Sequence, residues 1–405
     1  MATLNLVRNK NYYFYSILLF AFLLPLSRAA VSFFIVMLPL MWMFQGDLKD
    51  KFVYLWENPL ARALSFFLGF TTLSLVWSQN FAVGLDIVRL YGYWLAGFVI
   101  MTSLKKEQVR FVISAFLYGM LVSEIIAYGV FFEVWSFKNA TVENPVPNMF
   151  WIDYSVFLAL TSIILLNRIF SEYYEKKEKV FFFFFFLSTT GNLFLGYGRT
   201  GQLALFIAIV VMGMLYVHWN RKSLLYLILT VLLTYTAAYN LSNTFQKRVH
   251  SGIKDVTSIV EQKYDNSWGI RVVYWFVAYD ILKENPLLGV GVGDFESAVI
   301  ESLQKNDYGI SKETKKFMEE QHAHNQFLMV LIQTGLLGLL LMLYIIYKIV
   351  TLPIDDQEVK RISILFCTVY FVSCFAEPLW FKQFTLALFV VFVGVVGVWS
   401  RKNEN

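Results

Sequence analysis

Charge is scarce in this chain. Of its 405 residues only 16% are Asp, Glu, Lys or Arg, while 58% are hydrophobic. A soluble fold of this size must cover its surface with polar groups, so the balance excludes an ordinary soluble protein. Instead, apolar runs of roughly 17–25 residues recur along nearly the whole length, each able to cross the ~30 Å hydrocarbon layer as a helix. Cysteine is nearly absent: Cys367 and Cys374 stand seven apart on one predicted span and cannot bridge, so cysteine says nothing about redox compartment. No internal repeat is evident, and the run "FFFFFF" at 181–186 reads as lipid-facing bulk. The first apolar run, at 12–26, resembles a signal peptide. A second follows almost at once, however, which makes the first an uncleaved helix.

What is present is a series of predicted spans. They fall near 12–27, 29–45, 60–77, 84–103, 109–135, 150–170, 180–197, 200–218, 223–241, 325–349, 361–379 and 384–400. The fold class expected is an all-α polytopic membrane protein of about 12 transmembrane helices. It divides into spans 1–9 over 1–241, a large outer loop over 242–324, and spans 10–12 over 325–405. With a cytoplasmic N-terminus, the inner segments hold Arg8, Lys10, Lys49, Lys51, Lys105, Lys106, Arg110, Arg168, Lys176, Lys177, Lys179, Arg221, Lys222, Lys348, Lys360, Arg361, Arg401 and Lys402. The short outer connections hold only Arg28, Arg89, Lys138, Arg199 and Lys382. Eighteen against five is a positive-inside bias, so both termini are expected on the cytoplasmic side.

The outer loop is too long to be a mere connection. Ile270, Val273, Tyr274, Val277 and Ile281 follow the spacing of an amphipathic helix, and "ENPLLGVGVGDF" stops it with Pro286 and three glycines. An ordered, helical external subdomain is expected. The "GVGVGD" piece lacks a preceding strand and a βαβ unit, which excludes a nucleotide loop.

Charged and polar groups near the outer membrane edge need a reason, because charge at membrane depth is costly. Arg199 sits in "GYGRTGQLALF" at a span mouth, flanked by glycines. Arg271 opens the amphipathic helix beside Tyr274, and Arg28 and Arg89 lie near the outer interface. Each has a plain reading, as a snorkelling or solvated side chain. Together they have another: guanidinium forks gathered on an anionic group such as a diphosphate. "HAHNQFLMVLIQTGLLG" places His322, His324 and Asn325 at the head of an apolar run. Two apart on a helix, the imidazoles would point to different sides, and no third ligand stands at a metal-binding spacing, so no metal is expected. A neutral imidazole there can accept a proton from a hydroxyl. Glu319 and Glu320 stand close enough in sequence to orient it. Asn325 either fixes that ring or a substrate hydroxyl, or satisfies backbone groups at a helix start. Glu377-Pro378, at another span end, reads as a kink more than as a contact, and Glu124 is the main acidic residue buried in a span.

"GYGRTG", "GIRVVYW", "NPLLGVGVGDF" and "HAHNQFLMVLIQTGLLG", in this order, resemble the bacterial O-antigen ligase family of polytopic glycosyltransferases. The last fits the family pattern of His, a small polar residue, nine residues, Gly, two residues and Gly at His324, Asn325, Gly335 and Gly338. The resemblance is best from about 190 to 340. It implies a GT-C-like fold and a metal-independent, cofactor-free, inverting transfer of a glycan from undecaprenyl diphosphate to a sugar hydroxyl of lipid A–core. The site would face the periplasm of the bacterial inner membrane. His324 matches the histidine proposed to activate the acceptor, and Arg199 and Arg271 match arginines proposed to hold the diphosphate. His322 is outside the pattern, and no nucleic-acid partner is expected. The rival readings are an O-antigen polymerase, a protein O-oligosaccharyltransferase and, from another class, a transporter.

Overall fold

The computed structural model describes residues 11–142, 144–216 and 228–400, with 230, 231, 234 and 238 excepted. Nearly half of the span expected at 223–241, and the basic residues Arg8, Lys10, Arg221, Lys222, Arg401 and Lys402, lie outside the described residues. Among those described, regular structure is helical, with no strand. The protein is a polytopic α-helical membrane protein.

The chain opens with α1 (Asn11–Leu23), α2 (Arg28–Phe44), α3 (Leu48–Glu57) and α4 (Pro59–Leu73). Helices α5 (Phe81–Tyr91), α6 (Trp94–Ser103), α7 (Val109–Phe131), α8 (Trp151–Phe170), α9 (Lys176–Leu195) and α10 (Arg199–Tyr216) follow. Among the described residues, eight helical stretches are long and apolar enough to cross a membrane, or nine if α2 and α3, bent by 117°, count as one. Of the remaining expected spans, α1 is only 13 residues long, and α16 (Gln357–Cys374) begins with Glu358, Lys360 and Arg361. Lipid-facing bulk explains the phenylalanine run only in part. Phe181, Phe183 and Phe184 are exposed, but Phe182 and Phe185 are buried, one helical turn apart on the inward face.

Helix α8 is the central post: α9, α10 and α16 all pack on it. At the end of the bundle away from the site, Glu358 accepts the Tyr174 hydroxyl at 2.7 Å and pairs with Arg110 at 3.0 Å and Arg168 at 3.5 Å. This knot ties α7, α8 and α16 together. Within the bundle Glu124 of α7 accepts hydrogen bonds from Ser188 and Thr189 of α9, so the acid foreseen as buried is a cross-helix pin.

The long connection folds into α11 (Asn243–Val260), α12 (Ser267–Glu284), α13 (Phe295–Lys305) and α14 (Lys312–Glu319). Val273, Tyr274, Val277 and Ile281 of α12 are buried as their spacing predicts. They share a second, smaller apolar core with α13, α14 and the first turns of α15 (Gln326–Thr351). The chain ends, within the described residues, with α17 (Gln383–Gly397).

Helix α15 is broken. Gly335 has φ 63° and ψ −165°, a conformation essentially reserved for glycine. The interrupted helical hydrogen bonds are replaced by the 286–292 segment, which inserts beside the break. Val290 and Gly291 donate to the carbonyls of Ile332 and Gln333, while Leu336 and Leu337 donate to those of Pro286 and Leu287. Gln333 Nε2 adds a bond to the Val292 carbonyl at 3.0 Å. A Cβ on Gly335 would collide with the Leu287 backbone, and one on Gly289 with the Gly335 backbone. The glycine-rich segment rejected as a nucleotide loop is therefore a splint for a membrane helix.

Candidate active site

The two histidines lie in a turn between α14 and α15, not on a helix. His324 takes a left-handed conformation, φ 48°. That turn overturns the expectation of divergent rings: the imidazoles meet edge to face, 4.5 Å between centroids. Both face Glu377, His324 Nδ1 at 3.1 Å from Oε2 and His322 Nε2 at 3.7 Å from Oε1. Burial raises the Glu377 carboxyl, but the His324 hydrogen bond and the Lys382 charge outweigh it and hold the group down to about 2. It is a carboxylate at neutral pH and can only accept. In the neutral ring of His324 it is then Nδ1 that carries the proton, which leaves Nε2 with the lone pair of a base. His322 is pushed down to about 4 by burial, against the pull of Glu377, and is neutral at pH 7.

Glu377 is the residue that sequence reasoning misjudged. It lies beyond the end of α16, in a connecting turn rather than in a kinked helix. Its Oε1 also accepts from Lys382 Nζ at 2.8 Å, and Lys382 reaches Asp153 Oδ1, at the start of α8, at 3.2 Å. Burial lowers the Lys382 ammonium, but Asp153 and Glu377 together hold it up. Trp380 anchors the turn between them. It is fully buried against Phe67, Trp94, Tyr91 and Phe389, and its backbone N–H donates to Gln326 Oε1 at 2.9 Å. Lys382 figured in the sequence only as an outer charge, and Asp153 gave no signal within an apolar span.

The arginines come from two helices, α10 and α12. Gly198 and Gly201 bring the start of α10 against Ser155 of α8, closer than a Cβ would allow, and Gly201 N–H donates to Ser155 Oγ at 3.1 Å. This close approach fixes Arg199 beside the start of α8. Arg271 leaves the first turn of α12, where Nη1 donates to the Ser267 carbonyl and hydroxyl at 2.6 and 2.9 Å. Burial lowers its guanidinium most; Glu377 and Asp255 pull it back up, and Arg199 lowers it further. Arg271 thus lies within electrostatic reach of both Arg199 and the Glu377 hub. Arg28 acts on Asp153 and stands 5.9 Å over the Phe384 ring. Arg89 does not join them by contact: it pairs with Asp86 at 3.4 Å on an exposed helix face.

The supporting residues divide differently from their expected roles. Asn325 caps α15, its Oδ1 accepting from Phe327 and Leu328 N–H at 2.9 and 3.1 Å, so that oxygen holds neither ring nor substrate. Tyr274 is buried and its hydroxyl donates to the carbonyls of Met318 and Gln321, which steadies the backbone leading to the histidines. Glu320 is exposed at the end of α14 and binds neither imidazole; Glu377, far along the chain, fills that role.

His322, His324 and Glu377 have ligand atoms all within 4.8 Å of one another, a spacing open to a metal ion. Their own bonds compete with one. His322 Nδ1 accepts the His324 backbone N–H at 3.3 Å, so Nε2, the atom facing Glu377, carries the proton. A metal-bound histidine has the opposite need, a lone pair towards the ion and an N–H behind. The Lys382 ammonium already occupies the carboxylate.

Residues 182–343 match the family model described as O-antigen ligase. That segment, about two fifths of the chain, is similar to the O-antigen ligase family. That segment contains Arg199, Arg271, His322, His324 and the break at Gly335, whereas Asp153, Glu377 and Lys382 lie outside it. An uncharacterised protein of Haemophilus influenzae is 27% identical over 179 residues, 42% of this chain and 44% of that protein. The likeness therefore spans under half the length of either.

Proposed function

We propose that the protein is an inverting glycosyltransferase that moves a glycan from undecaprenyl diphosphate to a sugar hydroxyl of lipid A–core. The observation that carries this reading is the bond of His324 to the Glu377 carboxylate, whose charge acts on Arg271 together with that of Arg199. The acceptor O–H gives its proton to His324 Nε2 as its oxygen bonds to the anomeric carbon. The bond from that carbon to the phosphate oxygen breaks, and the diphosphate leaves with the electron pair. Arg199 and Arg271 stabilise the negative charge that collects there, the largest electrostatic need of the step. Arg28 lies at the edge of the same cluster, and we place Arg89 outside it. The lipid chain would lie against the apolar stripe Val249, Ile253 and Val256 of α11, which with Trp268 lines an open groove of about 390 Å³. We further place the site on the periplasmic face of the inner membrane with both termini inside, as the bias of Lys and Arg in the short loops directs.

The test is transfer by purified protein from one lipid-diphosphate glycan to lipid A–core, to a second lipid-linked glycan, or to a serine-bearing protein. Transfer to lipid A–core alone is the expected result; transfer only to the second glycan identifies a polymerase and overturns the ligase reading. Arg271→Ala and Arg199→Ala are each expected to weaken donor use by about 10²-fold, one charge-assisted contact apiece, with acceptor KM unchanged. Full activity and donor affinity in both would remove the clamp. Chelation with EDTA is expected to leave the rate within about twofold, because the charge stabilisation comes from guanidinium groups. A rate that collapses and returns with added divalent ion would place a metal in the site.

A further inference from the structure

We infer that Asp153 and Lys382 are positioning residues that set the basicity of His324 by fixing the charge on the far side of Glu377. The inference rests on the proposed role of His324 as base, but it concerns groups for which neither the sequence nor the family segment assigns a role.

The argument is one of charge and connectivity. Glu377 is buried and uses its two oxygens differently: Oε2 takes His324, and Oε1 takes Lys382. Lys382 then passes to the buried Asp153. The three groups behind the imidazole sum to one negative charge, two carboxylates against one ammonium. A lone Glu377 would give the same sum without the other two. The extra pair adds a rigid tie, because Lys382 and Asp153 fasten the Glu377 turn to the central helix α8. It also adds an adjustable balance, because either member can be removed separately. The other charges that face this cluster are Arg28 near Asp153, Arg271 and, through it, Arg199 and Asp255, with neutral His322 across Glu377.

Removing either partner deletes the same Lys382–Asp153 ion pair but changes the net charge in opposite senses. Lys382→Met leaves two negative charges behind His324, which favours the imidazolium. A base must be unprotonated to act, so the acid limb of the pH–rate profile moves to higher pH. Asp153→Asn leaves no net charge, disfavours the imidazolium, and moves that limb to lower pH. Each displacement is expected to be about one pH unit, the effect of one charge at several ångströms in a partly buried site. The double variant restores a single negative charge and brings the limb back near its original position.

A residue that only holds the fold would lower the rate in both single variants without separating their pH profiles, and the double variant would be worst of all. The second readout is independent of activity. In full-length protein with isotope-labelled histidine, NMR titration follows the His324 ring directly, assigned by its loss in His324→Gln. Opposite shifts in the two single variants, cancelling in the double, are the expected result. Shifts of the same sign, or none, overturn the inference. If the protein shows no glycan transfer but the titration shifts are as stated, it is the proposed reaction that fails and the charge linkage that stands.

Discussion

His324→Ala is expected to lower glycan transfer about 10³-fold while the protein still inserts, folds and binds the donor lipid. The magnitude follows from what is lost. A sugar hydroxyl is a poor nucleophile, and a positioned base contributes about 10²–10⁴ in rate. The loss should fall on kcat, because the arginines that would hold the diphosphate come from α10 and α12 and not from this turn. Its structural cost should be small, since His324 is partly exposed and its backbone, not its ring, shapes the turn into α15. The measurement is single-turnover transfer by purified variant, alongside restoration of the surface glycan in a deletion strain. Unimpaired ligation by this variant would falsify the general-base assignment and leave the imidazole as a mere partner of Glu377.

The second large effect is structural. Gly335→Ala is expected to destabilise the protein by about 3 kcal/mol and to abolish transfer without touching any charged group. A side chain at that backbone conformation costs about 1–3 kcal/mol by itself. Here the new Cβ also meets the Leu287 backbone, so the splinting segment must withdraw and leave carbonyls of α15 without partners. The apparent melting temperature of the solubilised protein should fall by about 5 °C or more. A variant with the original melting temperature and rate would show that the break tolerates a side chain and that the splint has slack.

How much of this was readable in the chain depends on the physics of each part. The spans were legible because lipid rewards an unbroken apolar stretch. Helix α12 was legible because its core presses one face, giving Ile270, Val273, Tyr274, Val277 and Ile281 their spacing. Arg199, Arg271 and His324 stood out as polar groups where polar groups are costly. The pairing of His322 with His324 did not, because a single left-handed residue reverses the direction of a ring and leaves no periodic trace. Glu377 was hidden by Pro378, which made a turn look like a kink. Asp153 was hidden by the apolar helix that carries it, and its partner Lys382 lies 229 residues away. The break in α15 is invisible to hydropathy, since leucines continue across Gly335; only the segment that fills it, remote in sequence, gives it away.

That splinted break has a consequence for anyone exchanging parts between relatives. The carbonyls and N–H groups of 286–292 are consumed by 332–337, so the external helices and the membrane helix after them are one unit of inheritance. A chimera cut between the two would carry a gap without its filling. One that moves both together, from before Pro286 to beyond Gly338, keeps the break with the segment that fills it.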